Sequence, residues 1–289
     1  MLNITFLAKS MSQTPLEERI VRLNQYLTPE ICLELHHSHS VIVYLNRVEK
    51  RNAMTFTMMD KLIHLAQHFK SWNDLRCVIL AGHGVSFCAG LDLDDLNAAR
   101  NMKAIAWQLL KPTKSKYQQV CLIWQSLPVP VIAVLHGHCI GAGLQLALAC
   151  DIRIATTQCQ FAIRESHWGL VADMGITQSA LGIAPDILKE LAMTARIFDG
   201  EKALNYGLVS HLNEQPLEQA KSLADEIATR SPDAVLVSKR IINAMYQQKS
   251  CTLYQEKLWQ IKLLLGHNQK RAIKKAKDKS VKFLQRQFK

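Results

Sequence analysis

The sequence has no cysteine pair at CxxC spacing, although it carries eight cysteines in 289 residues. Cys32, Cys77, Cys88, Cys121, Cys139, Cys150, Cys159 and Cys251 are scattered, several within apolar runs, where a thiol acts as a small hydrophobe. That excludes a zinc ribbon and a dithiol redox motif, and predicts free thiols in a reducing compartment. No apolar run approaches the roughly 20 residues a membrane-spanning helix needs. The opening segment, MLNITFLAKSMSQTPLEERIVRLNQ, turns acidic too soon for a signal or transit peptide. The expected location is cytoplasmic, with Met11 a second candidate start. No glycine turn is followed by GK[ST], and GHCIGAG lacks the distal acid of a dinucleotide fingerprint, so no nucleotide-phosphate cradle is expected. The HHSH run, His36 to His39, lies between two strand-like runs without a carboxylate or cysteine at ligand spacing. No metal site is therefore expected there.

Apolar material and cations are plentiful. Hydrophobic residues make up 48% of the chain, enough for a substantial core and against disorder. The formal charge is +11, and QKRAIKKAKDKSVKFLQRQFK at the end supplies much of it. Such a helix fits either a polyanionic partner or a solvated face.

Short strand-like runs begin at Ile31 and Val41, a helical pattern spans Thr57 to Lys70, and RCVILAG is a buried strand ending in glycine. A polar helix from Ser115 to Leu127 precedes a second buried strand, PVPVIAVLHG, and DIRIAT follows as a third. Continuous apolar strands alternating with helices predict α/β architecture with parallel sheets. After Thr177 helix follows helix, apart from GLVSHL. The divisions read as an N-terminal extension (1–28), an α/β core (29–212) and a helical region (213–289).

Two strand ends break into glycine turns, Phe87 to Leu93 and His136 to Leu146. Glycine permits unusual backbone angles and close approach, and the second turn opens a helix whose free N–H groups face outward. Two such turns side by side either pack strands tightly or aim two N–H groups at one oxygen as an oxyanion hole. Then comes FAIRESHWGLVADMGITQ, a largely apolar stretch holding Glu165 and Asp173 eight positions apart. A buried carboxylate costs several kcal/mol unless paired or protonated, so the stretch is a surface turn or a site of chemistry.

SFCAGLDL, PVIAVLHGHCIGAGLQLALACDIRIAT, GEKALNYGLVS and LNRVEKRNAM together resemble the crotonase superfamily, the enoyl-CoA hydratases and isomerases. The resemblance implies a spiral of ββα turns in two roughly perpendicular sheets, with a C-terminal helical trimerisation region. It implies an acyl-CoA substrate, a homotrimer or dimer of trimers, and no cofactor, because coenzyme A is part of the substrate. The oxyanion hole would be the N–H groups of Leu91 and Ala142, each donor contributing about 3–4 kcal/mol to the barrier. Ala53, Ala89, Gly90, Asp92, Leu93 and Gly141 would line the substrate, with Lys50 and Arg51 on the coenzyme A phosphates. Lys279 would match, loosely, a lysine directed to a neighbouring subunit's coenzyme A.

Reaction type follows from the carboxylates. Hydratases carry two glutamates; here the first position is Gln145, which cannot exchange a proton, and the second is Glu165. RESHWGLVADMG is similar to the dienoyl-CoA isomerase branch, where the acid matching Asp173 removes a proton at C2 and that matching Glu165 returns one at C6. That branch has an aspartate where this chain has Gln145. The expected function is thus a dienoyl-type isomerase acting through a thioester enolate. The alternatives are another crotonase reaction such as hydration, a non-catalytic acyl-CoA binder, or a crotonase-fold RNA-binding protein. Nucleic acid is not the expected partner, since the basic end has only Phe283 and Phe288 for base stacking. Asp92 and Asp151 also read as turn or capping residues, and His167 and Trp168 as packing groups.

Overall fold

The computed structural model describes residues 14–110, 112–245, 262 and 265–288. Met11, Cys251 and residues 1–13 of the expected N-terminal extension lie outside them.

The chain opens with α1 (Leu16–Leu27), then a hairpin of β1 (Ile31–His36) and β2 (Ser40–Leu45). After a 3-10 turn at Val48–Lys50 come α2 (Phe56–Ser71) and β3 (Cys77–Gly82). Next are α3 (Leu93–Asn97), α4 (Met102–Leu110), α5 (Lys116–Gln125), β4 (Val131–Leu135), β5 (His138–Ile140) and α6 (Ala142–Leu148). β6 (Ile152–Ala155), β7 (Gln160–Ala162), α7 (Ile176–Ser179), α8 (Pro185–Thr194), α9 (Gly200–Asn205) and β8 (His211–Leu212) complete the α/β part. α10 (Pro216–Ala228), α11 (Pro232–Met245) and α12 (His267–Lys277) follow.

A six-stranded sheet runs β1-β2-β3-β4-β6-β8, with only β1–β2 antiparallel. β2, β3 and β4 are buried along their whole length, because helices cover both faces, and so they read as continuous apolar runs. Ser115 starts α5 with a reciprocal capping box to Gln118. β5 and β7 form a second, two-stranded parallel sheet, flanked by bridges at Cys88–Cys139 and Phe161–Phe198.

Residues 14–28 are part of the core rather than an appendage. Leu16, Ile20, Leu23 and Leu27 recur at helical spacing and are buried in the main hydrophobic cluster. Arg19, also buried, pairs with Asp74 and lies 4.9 Å over the Trp72 ring. At the other end, Asp233 of α11 binds the tail: it accepts from Asn268 Nδ2 (2.8 Å) and the N–H groups of Gln287 (2.8 Å) and Phe288 (3.2 Å). Seven cysteines are described, all free, and six of them are buried. Among the described residues no helix is long and apolar enough to cross a membrane.

One glycine joins the two glycine turns. Gly137 has φ +60°, and a Cβ there would lie 1.9 Å from the Val85 carbonyl oxygen. Gly137→Ala combines left-handed strain with backbone overlap, a cost of about 2–5 kcal/mol. Gly169, at φ +70°, has open space around it. Urea unfolding is expected to show a large drop in midpoint for Gly137→Ala and a loss of about 1–2 kcal/mol for Gly169→Ala.

Candidate active site

The two glycine turns lie against each other. Cys88 N–H donates to the His138 carbonyl (2.8 Å), and Ile140 N–H donates back to the Cys88 carbonyl (3.0 Å). Gly90 has φ +110°, and a Cβ there would sit 3.2 Å from the Ile140 oxygen. A Cβ on Gly143 would come within 2.7 Å of the Cys88 Cβ, so the start of α6 rests on the first turn. Met54 N–H donates to the Gly90 carbonyl (2.8 Å) and Asp92 N–H to the Met54 carbonyl (3.0 Å). In that parallel bridge the intervening N–H of Leu91 is turned away from Met54. Gly141, at φ +53° and ψ −116°, leads into α6 and leaves Ala142 as its first residue. Among the described residues, no hydrogen bond uses the N–H of Leu91 or of Ala142. Both donors predicted for the oxyanion hole are thus free, on turns held within backbone contact of each other.

The KRNAM loop is fixed by a residue the sequence reading passed over. Asn52 is fully buried in a left-handed conformation, φ +58°. Its Oδ1 accepts from Arg47 N–H (2.8 Å), while its Nδ2 donates to the carbonyls of His83 (2.9 Å) and Ser86 (2.7 Å). The loop is thereby tied to the first glycine turn, and Ala89 N–H reaches the Arg51 carbonyl at 3.0 Å. Lys50 is exposed, 3.7 Å from Asp94, and Arg51 is exposed as well, so both cations are open to an anionic ligand. Ala53 and Ala89 lie along this seam, and Leu93 opens α3. Asp92 caps α3, with Oδ1 accepting from the N–H groups of Asp94 (3.0 Å) and Asp95 (3.1 Å) and Oδ2 from Arg47 (2.9 Å). Its carboxylate is committed to the fold, as the capping reading expected, and is not available to a substrate. Those bonds hold it ionised, outweighing the burial that opposes charge.

Glu165 opens a single 3-10 turn, Glu165–Trp168, in front of the α6 N-terminus. Gln145 is buried and bridges the segment that carries both acids. Its Nε2 donates to Glu165 Oε1 (2.6 Å), and its Oε1 accepts from Met174 N–H (2.9 Å), next to Asp173. Glu165 Oε2 is buried without a hydrogen-bond partner. Burial raises the Glu165 carboxyl above its ordinary range, and repulsion from Asp173 adds to that. Asp173 is partly open to solvent, yet the protein around it also raises its carboxyl through desolvation. Tyr117 and Cys121 of α5 both sense the Asp173 charge, and Cys121 that of Glu165 too. The turn is exposed from Ser166 to Val171 and at Asp173, yet both its acids are raised and Glu165 is tied to buried Gln145. Glu165 pairs with neither Arg164, which donates to the Ala195 carbonyl, nor His167, which packs edge-on against exposed Trp168.

Other candidates fall elsewhere. Asp151 is structural, accepting from Val131 N–H and Lys239 Nζ, both at 2.7 Å. It borders a groove of about 1070 Å³ shared with Gln178, Lys239 and Asn243, which contains none of the predicted catalytic residues. Lys279 is exposed in the turn after α12, with no hydrogen bond or ion pair to the carboxylates, Lys50 or Arg51 among the described residues. The HHSH run needs a correction: a carboxylate does meet it, from 189 positions along the chain. His36 Nε2 lies 3.0 Å from Asp225 Oδ1 on α10. Sequence spacing could not show a pairing made by tertiary packing.

Known proteins resemble this chain in sequence and in fold. The family model described as enoyl-CoA hydratase/isomerase matches residues 37–284. The mitochondrial Delta(3,5)-Delta(2,4)-dienoyl-CoA isomerase of Mus musculus is 38% identical over 225 residues, 73% of this chain and 67% of the relative. The mitochondrial methylglutaconyl-CoA hydratase of Mus musculus is 33% identical over 222 residues, covering 73% and 68%. The chain spans about two thirds of the length of these relatives. The solved structure of an enoyl-CoA hydratase from Bacillus anthracis superposes with a TM-score of 0.80 at 27% identity, over 89% of this chain and 99% of that one. The crotonase fold anticipated from the glycine turns is the fold observed, and the chain belongs to the enoyl-CoA hydratase/isomerase family.

Proposed function

We propose that this protein is an acyl-CoA isomerase of the dienoyl type, converting a 3,5-dienoyl thioester to its 2,4-dienoyl isomer. The thioester oxygen sits between the N–H groups of Leu91 and Ala142. Asp173 takes the proton from C2, the electron pair spreads through the diene onto the oxygen, and Glu165 delivers a proton to C6. The double bonds shift, and proton loss at C2 balances gain at C6. Preorganised donors at the oxygen stabilise the charge only as it develops, which lowers the barrier rather than merely binding substrate.

The observation that carries this reading is the division among the three polar positions. Glu165 and Asp173 are both raised carboxyls, whereas Gln145 donates to Glu165, accepts from the N–H of Met174 beside Asp173, and exchanges no proton. Two carboxyls in unlike environments can hold one proton between them, as a shuttle needs. Asp173, the more open to solvent, takes the part of the base; Glu165, with one oxygen buried and unpartnered, takes that of the acid. Hydration needs a second proton-exchanging group where Gln145 stands. The likeness to methylglutaconyl-CoA hydratase keeps hydration by Glu165 alone as the second reading.

Lys50 and Arg51 are assigned to the coenzyme A phosphates, and no cofactor enters the reaction. A homotrimer or dimer of trimers is kept as the assembly, and exposed Trp107, Leu110, Trp168, Leu170 and Val171 are apolar side chains that its interfaces would cover. In the basic tail, Lys275 Nζ lies 4.8 Å over the Phe283 ring, which counts against Phe283 as a base-stacking platform.

The test is a paired assay on the unmodified chain. With a 3,5-dienoyl-CoA, absorbance of the conjugated 2,4-dienoyl thioester is expected to grow, with kcat/KM at least about 10²-fold above that for hydration of a 2-enoyl-CoA. The reverse ratio overturns the isomerase reading in favour of hydration.

A further inference from the structure

We infer that His36, His37, His39 and Asp225 form a binding site for a divalent first-row transition-metal ion, of the class of Zn²⁺. The site lies at the turn of the β1–β2 hairpin, apart from the oxyanion hole and the two acids.

Three imidazoles converge on one carboxylate. His36 Nε2 is 3.0 Å from Asp225 Oδ1, His37 Nε2 is 3.6 Å from Oδ2, and His39 Nε2 is 3.8 Å from Oδ1. Ligand atoms of His36, His37 and Asp225 all lie within 4.8 Å of one another. Four donors about 2.0–2.1 Å from a tetrahedral Zn²⁺ stand roughly 3.3 Å apart, so His36, His37 and Asp225 are near that spacing, while His39, outside their set, closes the fourth position only by turning its ring inward.

The backbone makes this convergence. Successive side chains of a strand point to opposite faces, so His36 and His37 would diverge if β1 continued. His37 instead adopts φ +51°, which brings its ring to 4.2 Å from that of His36, centroid to centroid. His39 uses Nδ1 toward Ser40 Oγ at 2.9 Å, which leaves Nε2 toward Asp225. A ring nitrogen fixed by a hydrogen bond while the other faces the ion is the usual arrangement of a metal-bound histidine. The donor set of imidazoles with one carboxylate suits zinc or a neighbouring transition ion better than calcium or magnesium, which prefer oxygen.

A bound ion would join the hairpin at the edge of the large sheet to α10, two elements distant in sequence. Because such a site exists only in the folded chain, metal binding stabilises the fold.

The experiment is calorimetric titration of Zn²⁺ into the full, untagged, chelator-treated chain, with thermal unfolding in parallel. The expected result is one tight equivalent per chain and a rise in Tm with Zn²⁺. Asp225→Asn is expected to weaken binding about tenfold or more. His37→Ala is the second variant, because His37 is mostly exposed and its loss leaves the fold intact. It too is expected to bind about tenfold more weakly and to lose most of the Zn²⁺-dependent Tm rise. Absence of a tight equivalent, or equal binding by the wild type and His37→Ala, overturns the proposal.

Discussion

Glu165→Gln is expected to cut turnover of a 3,5-dienoyl-CoA by about 10³-fold while making the chain more heat-stable at neutral pH. The first effect follows from the loss of the group that hands a proton to C6. General acid–base contributions run at about 10²–10⁴-fold, and glutamine has no proton to give at ordinary pH. The second follows from the environment of the carboxyl. Burial raises it most and Asp173 adds to that, opposed by the backbone N–H of Glu165 itself, by Gln145 Nε2 at Oε1 and by the Arg164 backbone. Oε2 is buried with no partner, so the ionised form is carried at a cost.

A carboxyl raised in the folded state holds its proton where the unfolded chain has released it, so folding is favoured at acidic pH. That contribution is complete below the unfolded value and is lost as pH rises through the folded value. At pH 7–8 Glu165 is therefore a liability that glutamine removes, keeping an oxygen for Gln145 to donate to. Tm of Glu165→Gln minus wild type is expected to be positive at pH 8 and to shrink towards zero on acidification below the ordinary glutamate value of 4.5. A lower Tm for the variant at pH 8 would mean that Glu165 is held ionised, and its role as the acid would fall.

How much of this was legible in sequence depended on the range of the interaction. β2, β3 and β4 were readable because burial on both faces writes an unbroken apolar run. β5 and β7 were missed: three residues each, they pair across sequence and have no period long enough to see. Leu91 and Ala142 were named only through the family resemblance carried by their turns, since a backbone donor leaves no mark in its own side chain. Gln145 was readable as a departure from the acids of relatives, but its two hydrogen bonds, to Glu165 and to Met174 N–H, were not. Asn52 and Arg47 were passed over because they act on loops rather than on substrate. The Asp225 contact with the histidines shows the general limit, since carboxylate and imidazoles meet only when α10 lies against the sheet.

Asp173→Asn is expected to abolish turnover as fully as Glu165→Gln, by about 10³–10⁴-fold, but at a different step, and the difference can be measured. If Asp173 removes the C2 proton, its amide variant cannot form the enolate. In deuterated water the recovered 3,5-dienoyl-CoA should then carry no deuterium at C2. Glu165→Gln keeps the base. It should still form the enolate and return a solvent deuteron to C2, so recovered substrate gains label at C2 while the conjugated product fails to accumulate. The two variants would thus share a loss of product and split on exchange, an outcome that simple misfolding or lost binding cannot produce. Asp173 is exposed, and its carboxyl, like that of Glu165, is raised by desolvation, so by the same linkage Asp173→Asn is expected to unfold at or above the wild-type temperature at pH 8. Exchange retained in Asp173→Asn and lost in Glu165→Gln would reverse the two roles. Gln145 would then gain a new meaning: its Nε2 would be holding the base, Glu165, in place.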